Sequence, residues 1–280
     1  MTADADVPGE DGKSWTPWMH TTNLELCLAA LVALGAGATE PAVAHEAERA
    51  LSVAREVERL AGQRVLWPGF DPLRIPLAIY AGEHTYLFRH PSPPEGFALV
   101  AGARPGAFAF EGRHPAVTAN SSAEMGDTPT ATLLADGARA RRNPAERAAT
   151  AIHEAFHVFQ RGRHPGWSAN EGDLFLYPTD DARLLALRRL ESAALRRALA
   201  ASDAAGVACW ARLALGFRRE RFAGMDPTFS TYERLTELNE GLAAYVQLLA
   251  GGKTTVEIPA DEFRATAFRD RGYTIGPALA

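Results

Sequence analysis

Residues 143–165 read Asn-Pro-Ala-Glu-Arg-Ala-Ala-Thr-Ala-Ile-His-Glu-Ala-Phe-His-Val-Phe-Gln-Arg-Gly-Arg-His-Pro. The stretch predicts a helix with both ends marked. Asn143 is placed to cap it, Pro144 suits the first helical position, and Glu146 completes a capping-box-like pair. Ala149, Ile152, Phe156 and Phe159 recur at i, i+3, i+7 and i+10, which is an apolar stripe along one side. His153, His157 and Gln160 fall on another face. Gly162 and Pro165 end the pattern.

Upstream of this helix the texture changes. Pro41 opens a helical pattern carried by Val43, Ala47, Ala50, Leu51, Ala54, Val57 and Leu60, and Gly62 closes it. Short apolar runs follow at 65–67, 75–80, 85–88, 97–100, 107–110, 116–119 and 130–134. Each is bounded by Gly, Pro, Asn or Asp, the punctuation of strands. From Asn143 to Gly251 the signal is helical. From Lys253 onward it is irregular, with one short helix expected over 261–269. The expected class is α+β: a twisted mixed sheet, then the motif helix, then a mainly helical C-terminal half.

In domain terms, residues 1–40 read as an acidic tail plus an apolar segment. Residues 41–280 read as one domain, with helix and sheet over 41–142, helices over 143–252 and a tail over 253–280. The apolar run Leu24–Ala38 has two readings. It has the small-residue ending of a signal segment, but it lacks a basic flank and contains Glu25, so it also reads as a core helix. Export and retention are therefore equally open.

Composition narrows the function classes. With 47% hydrophobic and 22% charged residues the chain has ordinary globular usage. A net charge of −5 argues against a general nucleic-acid binder. Two cysteines, Cys27 and Cys209, cannot make a disulfide framework or a cysteine-based zinc cluster. No apolar run reaches the roughly 18 residues that crossing a bilayer requires, so no integral span is expected.

The chemistry lies in His153-Glu154-Ala155-Phe156-His157. Histidines at i and i+4 sit one turn apart on one helix face, where two imidazole nitrogens can meet one Zn²⁺ at about 2.0–2.1 Å each. Glu154 is displaced around the helix, within reach of a metal-bound water but not of the metal. Chance yields this pattern in roughly 2% of chains of this composition, so the helical context has to carry the reading. A third histidine is a weak option: the astacin and matrix-protease type has Gly at the third and His at the sixth position after the second motif histidine, where this chain has Gln160 and Arg163, with His164 one residue late. A carboxylate is expected as third ligand.

Two acids are candidates. Glu240 lies in Asn239-Glu240-Gly241-Leu242-Ala243. This segment resembles the Asn-Glu-Gly-x-Ala segment of gluzincin aminopeptidases, and with the paired histidines it makes the chain resemble the gluzincin branch of the zincin metallopeptidases. The resemblance covers two short segments. It implies a zincin-like fold, Zn²⁺ as cofactor, His153, His157 and Glu240 as metal ligands, Glu154 as general base, and a peptide or protein as substrate. The separation of Glu240 from His157 departs from the family, whose connection is short. On a helical wheel, Leu235, Leu238, Leu242, Val246 and Leu249 form an apolar face opposite Glu233, Glu237 and Glu240, and such an acidic stripe is ordinarily solvated. Gly241 points the other way, since a glycine inside a helix suggests a close backbone approach.

The second candidate, Glu191, falls within the stripe Leu184, Leu187, Leu195 and Leu199. A core-facing carboxylate needs a partner. A salt bridge to Arg218 or Arg221 is the favoured partner, ahead of metal ligation, and Glu237 remains a further alternative ligand. Tyr177, Tyr232 and Tyr245 are candidates for steadying an oxyanion. An edge strand before the motif helix, 116–119 or 130–134, would pair with extended substrate, as the resemblance implies. Two other functions stay open: a zinc hydrolase of a non-peptide amide or ester, and a non-catalytic binding domain of the same fold.

Overall fold

Thr130, Ala131, Thr132, Leu133 and Leu134 are all buried, and the strand they form lies inside a sheet with both faces covered. The computed structural model describes residues 39–100, 106–136, 143–259 and 268–280. The apolar N-terminal segment lies outside the described residues. Among the described residues the sheet is mixed, with six strands: β1 (Leu77–Ala81), β2 (His84–Phe88), β3 (Ala98–Leu99), β4 (Ala107–Glu111), β5 (Ser121–Met125) and β6 (Thr128–Leu134), in the order β3-β4-β2-β1-β6-β5. The β1–β6 pair is parallel, and the other four pairs are antiparallel.

Alternation sends the two sets of side chains to two cores. Leu77, Ile79, Tyr86, Phe88, Ala131 and Leu133 meet helix α1 (Thr39–Ala61) and helix α2 (Pro144–Arg163). Ala78, Leu87 and Leu134 point to the opposite face, where Val117 and Met125 cover them.

Two expected strands are absent. Residues 65–67 form a bend whose Trp67 packs edge-on against Phe156 at 5.6 Å. Residues 116–119 form a loop that seats Val117 in the second core. The sheet edge beside the motif helix is β5, Ser-Ser-Ala-Glu-Met, which has no apolar run. Its register is fixed by a two-residue turn with Gly126 at φ 59°, and by Leu134 N–H donating to Asn120 Oδ1 at 2.8 Å. The expected edge, 130–134, is an interior strand.

After α2 come α3 (Ala182–Ala200), α4 (Ala204–Ala223) and α5 (Pro227–Thr236), each N-capped by an aspartate: Asp181, Asp203 and Asp226. From α5 the chain runs through a π-turn (Glu237–Gly241) into α6 (Leu242–Ala250). The C-terminal helix, α7 (Phe268–Leu279), takes in the end of the expected 261–269, whose residues 261–267 lie outside the described residues. A Cβ on Gly241 would lie 2.6 Å from Gly276 Cα, and one on Gly276 would lie 2.3 Å from Gly241 Cα. That is the close approach Gly241 suggests from sequence, and it seats α7 directly on the π-turn. Among the described residues, no helix is long and apolar enough to cross a membrane.

Candidate metal centre

The motif helix forms as its sequence predicts. Asn143 Oδ1 accepts from Glu146 N–H at 2.8 Å, and the helix continues to Arg163. Phe156 is fully buried against Phe70 and Trp67, which turns the opposite side of α2 toward β5 and α7. There His153 and His157 present their Nε2 atoms 3.1 Å apart. Across from them, Glu240 Oε2 stands 3.3 Å from His157 Nε2 and 3.6 Å from His153 Nε2.

These three edges have a physical meaning. Three donors at about 2.0–2.1 Å from a tetrahedral ion are spaced roughly 3.3 Å apart. The triangle of Nε2, Nε2 and Oε2 matches that spacing. Among the described residues, Glu240 Oε2 and His153 Nδ1 are both buried with no hydrogen-bond partner. An orphaned buried carboxylate oxygen facing two imidazole nitrogens fits a cation. His153, Glu154 and His157 also offer donor atoms within 4.8 Å of one another, so this group could hold a metal ion by itself.

Electrostatics separates the two acids. Burial pushes the Glu154 carboxyl above its ordinary value, against the pull of the two histidines, as suits a proton acceptor. Glu240 goes the other way. Burial opposes its charge, but the facing His153 and His157 rings and the Tyr273 hydroxyl hold its carboxyl well below the usual range, as suits an anionic ligand. Its other oxygen, Oε1, accepts from Arg269 Nη2 at 3.2 Å.

The cavity at this point has a volume of about 320 Å³, and Asn120, Ser121, Ser122, Arg161, Ser168, Asn239, Arg269 and Tyr273 join the four motif residues around it. A cavity of about 340 Å³ beside Leu73 and Phe88 has Glu58 and Arg89 as its titratable groups. They stand 4.0 Å apart as a pair, so chemistry is not placed there.

Comparison with family models, with curated proteins and with solved structures finds no match for this chain.

The other sequence-predicted candidates lie elsewhere. Glu191 is enclosed by Arg218 at 2.9 Å, Arg221 at 2.8 Å and Arg271 at 3.1 Å. That is the structural salt bridge its sequence position favoured, with Arg271 added. Glu237 is held by Arg218 and Arg271, and Glu233 by Arg221 and the Tyr177 hydroxyl. The acidic stripe is thus buried rather than solvated, because the π-turn changes the helical register and α4 and α7 bring arginines to it. His164 caps the end of α2 and stacks on Trp167 at 3.8 Å. None of Tyr177, Tyr232 and Tyr245 lines the cavity.

The tyrosine at the site is Tyr273, whose ring lies parallel to His153 at 6.0 Å and whose oxygen accepts from Arg269 Nη1 at 3.2 Å. Burial, and then the neighbouring Glu240 carboxylate, push this phenol up. Reading 253–280 as a tail concealed both Tyr273 and Arg269. The signal in the sequence is Gly272 and Gly276, spaced one turn apart, flanking Tyr273.

Proposed function

We propose that this chain is a zinc-dependent peptidase of zincin-like, gluzincin-like design, with His153, His157 and Glu240 as ligands and Glu154 as general base. The observation that carries the reading is the triangle of Nε2, Nε2 and Oε2 at 3.1, 3.3 and 3.6 Å, closed by an acid 83 residues beyond the motif. When bound, zinc supplies the Lewis acidity that brings a water's pKa to about 7. Glu154 accepts the proton as water attacks the carbonyl carbon, then passes it to the leaving amine as the C–N bond breaks. Its desolvated setting supports both halves of that cycle. Tyr273 and Arg269 stand at the cavity wall, where a donor can steady the oxyanion. Ser121 and Ser122 of edge strand β5 also line the cavity, so an extended peptide can add to β5 as a further strand and lay its backbone beside Glu154.

The test is Glu154→Gln. The variant is expected to hold one zinc per chain by elemental analysis and to lose hydrolysis of a mixed peptide library by about 10²-fold or more. His157→Ala is expected to lose the zinc as well. Hydrolysis by Glu154→Gln at the wild-type rate would refute the role of Glu154. A wild-type protein that takes up no zinc would refute the metal.

A further inference from the structure

Gln160 is 1% exposed, and every polar atom of its side chain is engaged. Its Nε2 donates to Leu238 O at 2.8 Å and to Asn239 O at 3.0 Å. Both partners are carbonyls, which only accept, so the amide orientation follows from chemistry. Gln160 Oε1 is then the atom 2.9 Å from His157 Nδ1. An amide oxygen cannot donate, so Nδ1 carries the hydrogen and, in the neutral ring, His157 Nε2 carries a lone pair. That lone pair faces His153 Nε2 and Glu240 Oε2.

The same side chain therefore does two things. It orients one imidazole, and it ties α2 to the π-turn on which Glu240 sits. Asparagine is one methylene too short to span both contacts. Glutamate could accept from Nδ1–H but would turn an acceptor toward two carbonyls.

We propose that, granted the metal site above, Gln160 is a positioning residue. It holds His157 with a bare Nε2 and clamps the Leu238–Asn239 backbone, so that a histidine ligand and the Glu240 ligand are set by one amide. Removing such an outer partner ordinarily weakens metal affinity 10–100-fold.

The experiment compares wild type, Gln160→Leu and Gln160→Glu in three measurements. These are zinc competition against a chelator, ¹⁵N NMR of His157 in metal-free protein in mildly alkaline buffer, and hydrogen exchange over 237–242. The wild type is expected to show the single tautomer protonated at Nδ1. Gln160→Leu is expected to mix the tautomers and to weaken zinc by about 10–100-fold. Gln160→Glu, close to isosteric and the safeguard should the leucine variant not fold, is expected to keep the tautomer while exchange over the π-turn quickens. A residue that only filled space would move the melting temperature and leave the tautomer alone. The proposal is overturned if Gln160→Leu keeps one tautomer and unchanged zinc affinity. It is equally overturned if Gln160→Glu leaves exchange over the π-turn at the wild-type rate. The two metal-free measurements decide the role of Gln160 separately from zinc uptake by the wild type.

Discussion

Replacing Gly276 by alanine tests how α7 is joined to the site. The new Cβ would stand 2.3 Å from Gly241 Cα and 3.2 Å from Gly241 C, both backbone atoms that cannot rotate away. Ordinary contact begins near 3.4 Å, so α7 has to withdraw by about 1.1 Å at this point. Overpacking of this kind costs about 1–3 kcal/mol, offset by the roughly 0.5–1 kcal/mol that alanine gains over glycine within a helix. A net loss of about 1–2 kcal/mol lowers the melting temperature by roughly 2–8 °C in a chain of this size class.

The displacement also moves Arg269 away from Glu240 Oε1, now 3.2 Å distant, and Tyr273 away from His153. Zinc affinity is therefore expected to fall together with stability. Gly216→Ala on α4 is the control. Nothing lies within 4 Å of its added Cβ, so it is expected to stabilise by about 0.5–1 kcal/mol and leave zinc binding unchanged. The assays are calorimetry and chelator competition on the same preparations. Gly276→Ala melting at or above wild type, with undiminished zinc affinity, would refute the packing of α7 on the π-turn.

Two further predictions follow from charge. Burial opposes the Glu191 charge, but Arg271, Arg221 and Arg218 hold its carboxyl down at about 2, against an ordinary 4.5. A depressed folded-state pKa gives stability that is complete above pH 4.5 and is lost as pH falls toward 2, an effect of about 3 kcal/mol from this group. Chemical denaturation across that window should show a shallower pH dependence in Glu191→Gln, and an identical slope would contradict the assignment. Arg161, one turn beyond His157 on α2, lines the cavity and acts electrostatically on Glu154. Arg161→Gln is expected to raise KM for peptides with an acidic residue beside the cleaved bond by about 10-fold, a typical effect of one charged contact, against a smaller change for neutral peptides. Equal changes for both peptide sets would remove Arg161 from substrate recognition.

The motif helix was legible in the sequence because its signals are local. A cap, a proline, a stripe and a paired histidine all lie within a few turns, and Asn143, His153 and His157 stand where that logic puts them. The α+β order was legible for the same reason, since β1, β2, β4 and β6 carry apolar runs. Strand β5 was not, because an edge strand needs no apolar signature and Ser121–Met125 has none. The same limit explains Tyr273 and Arg269, whose importance depends on where α7 docks rather than on any pattern inside 253–280.

By itself, then, the sequence determined the helix, the two imidazoles one turn apart and the kind of fold, because each follows from short-range periodicity and steric rules. The resemblance of Asn239–Ala243 put Glu240 forward, and tertiary structure decided which acid faces the paired histidines. Glu191, Glu237 and Glu240 are chemically alike on paper. Arginines from α4 and α7 neutralise the first two in a closed cluster, while the π-turn and the Gly241–Gly276 contact leave the third with one oxygen on Arg269 and the other facing the histidines. Burial forces every carboxylate to find a cation, and the packing of distant helices settles which cation each one meets.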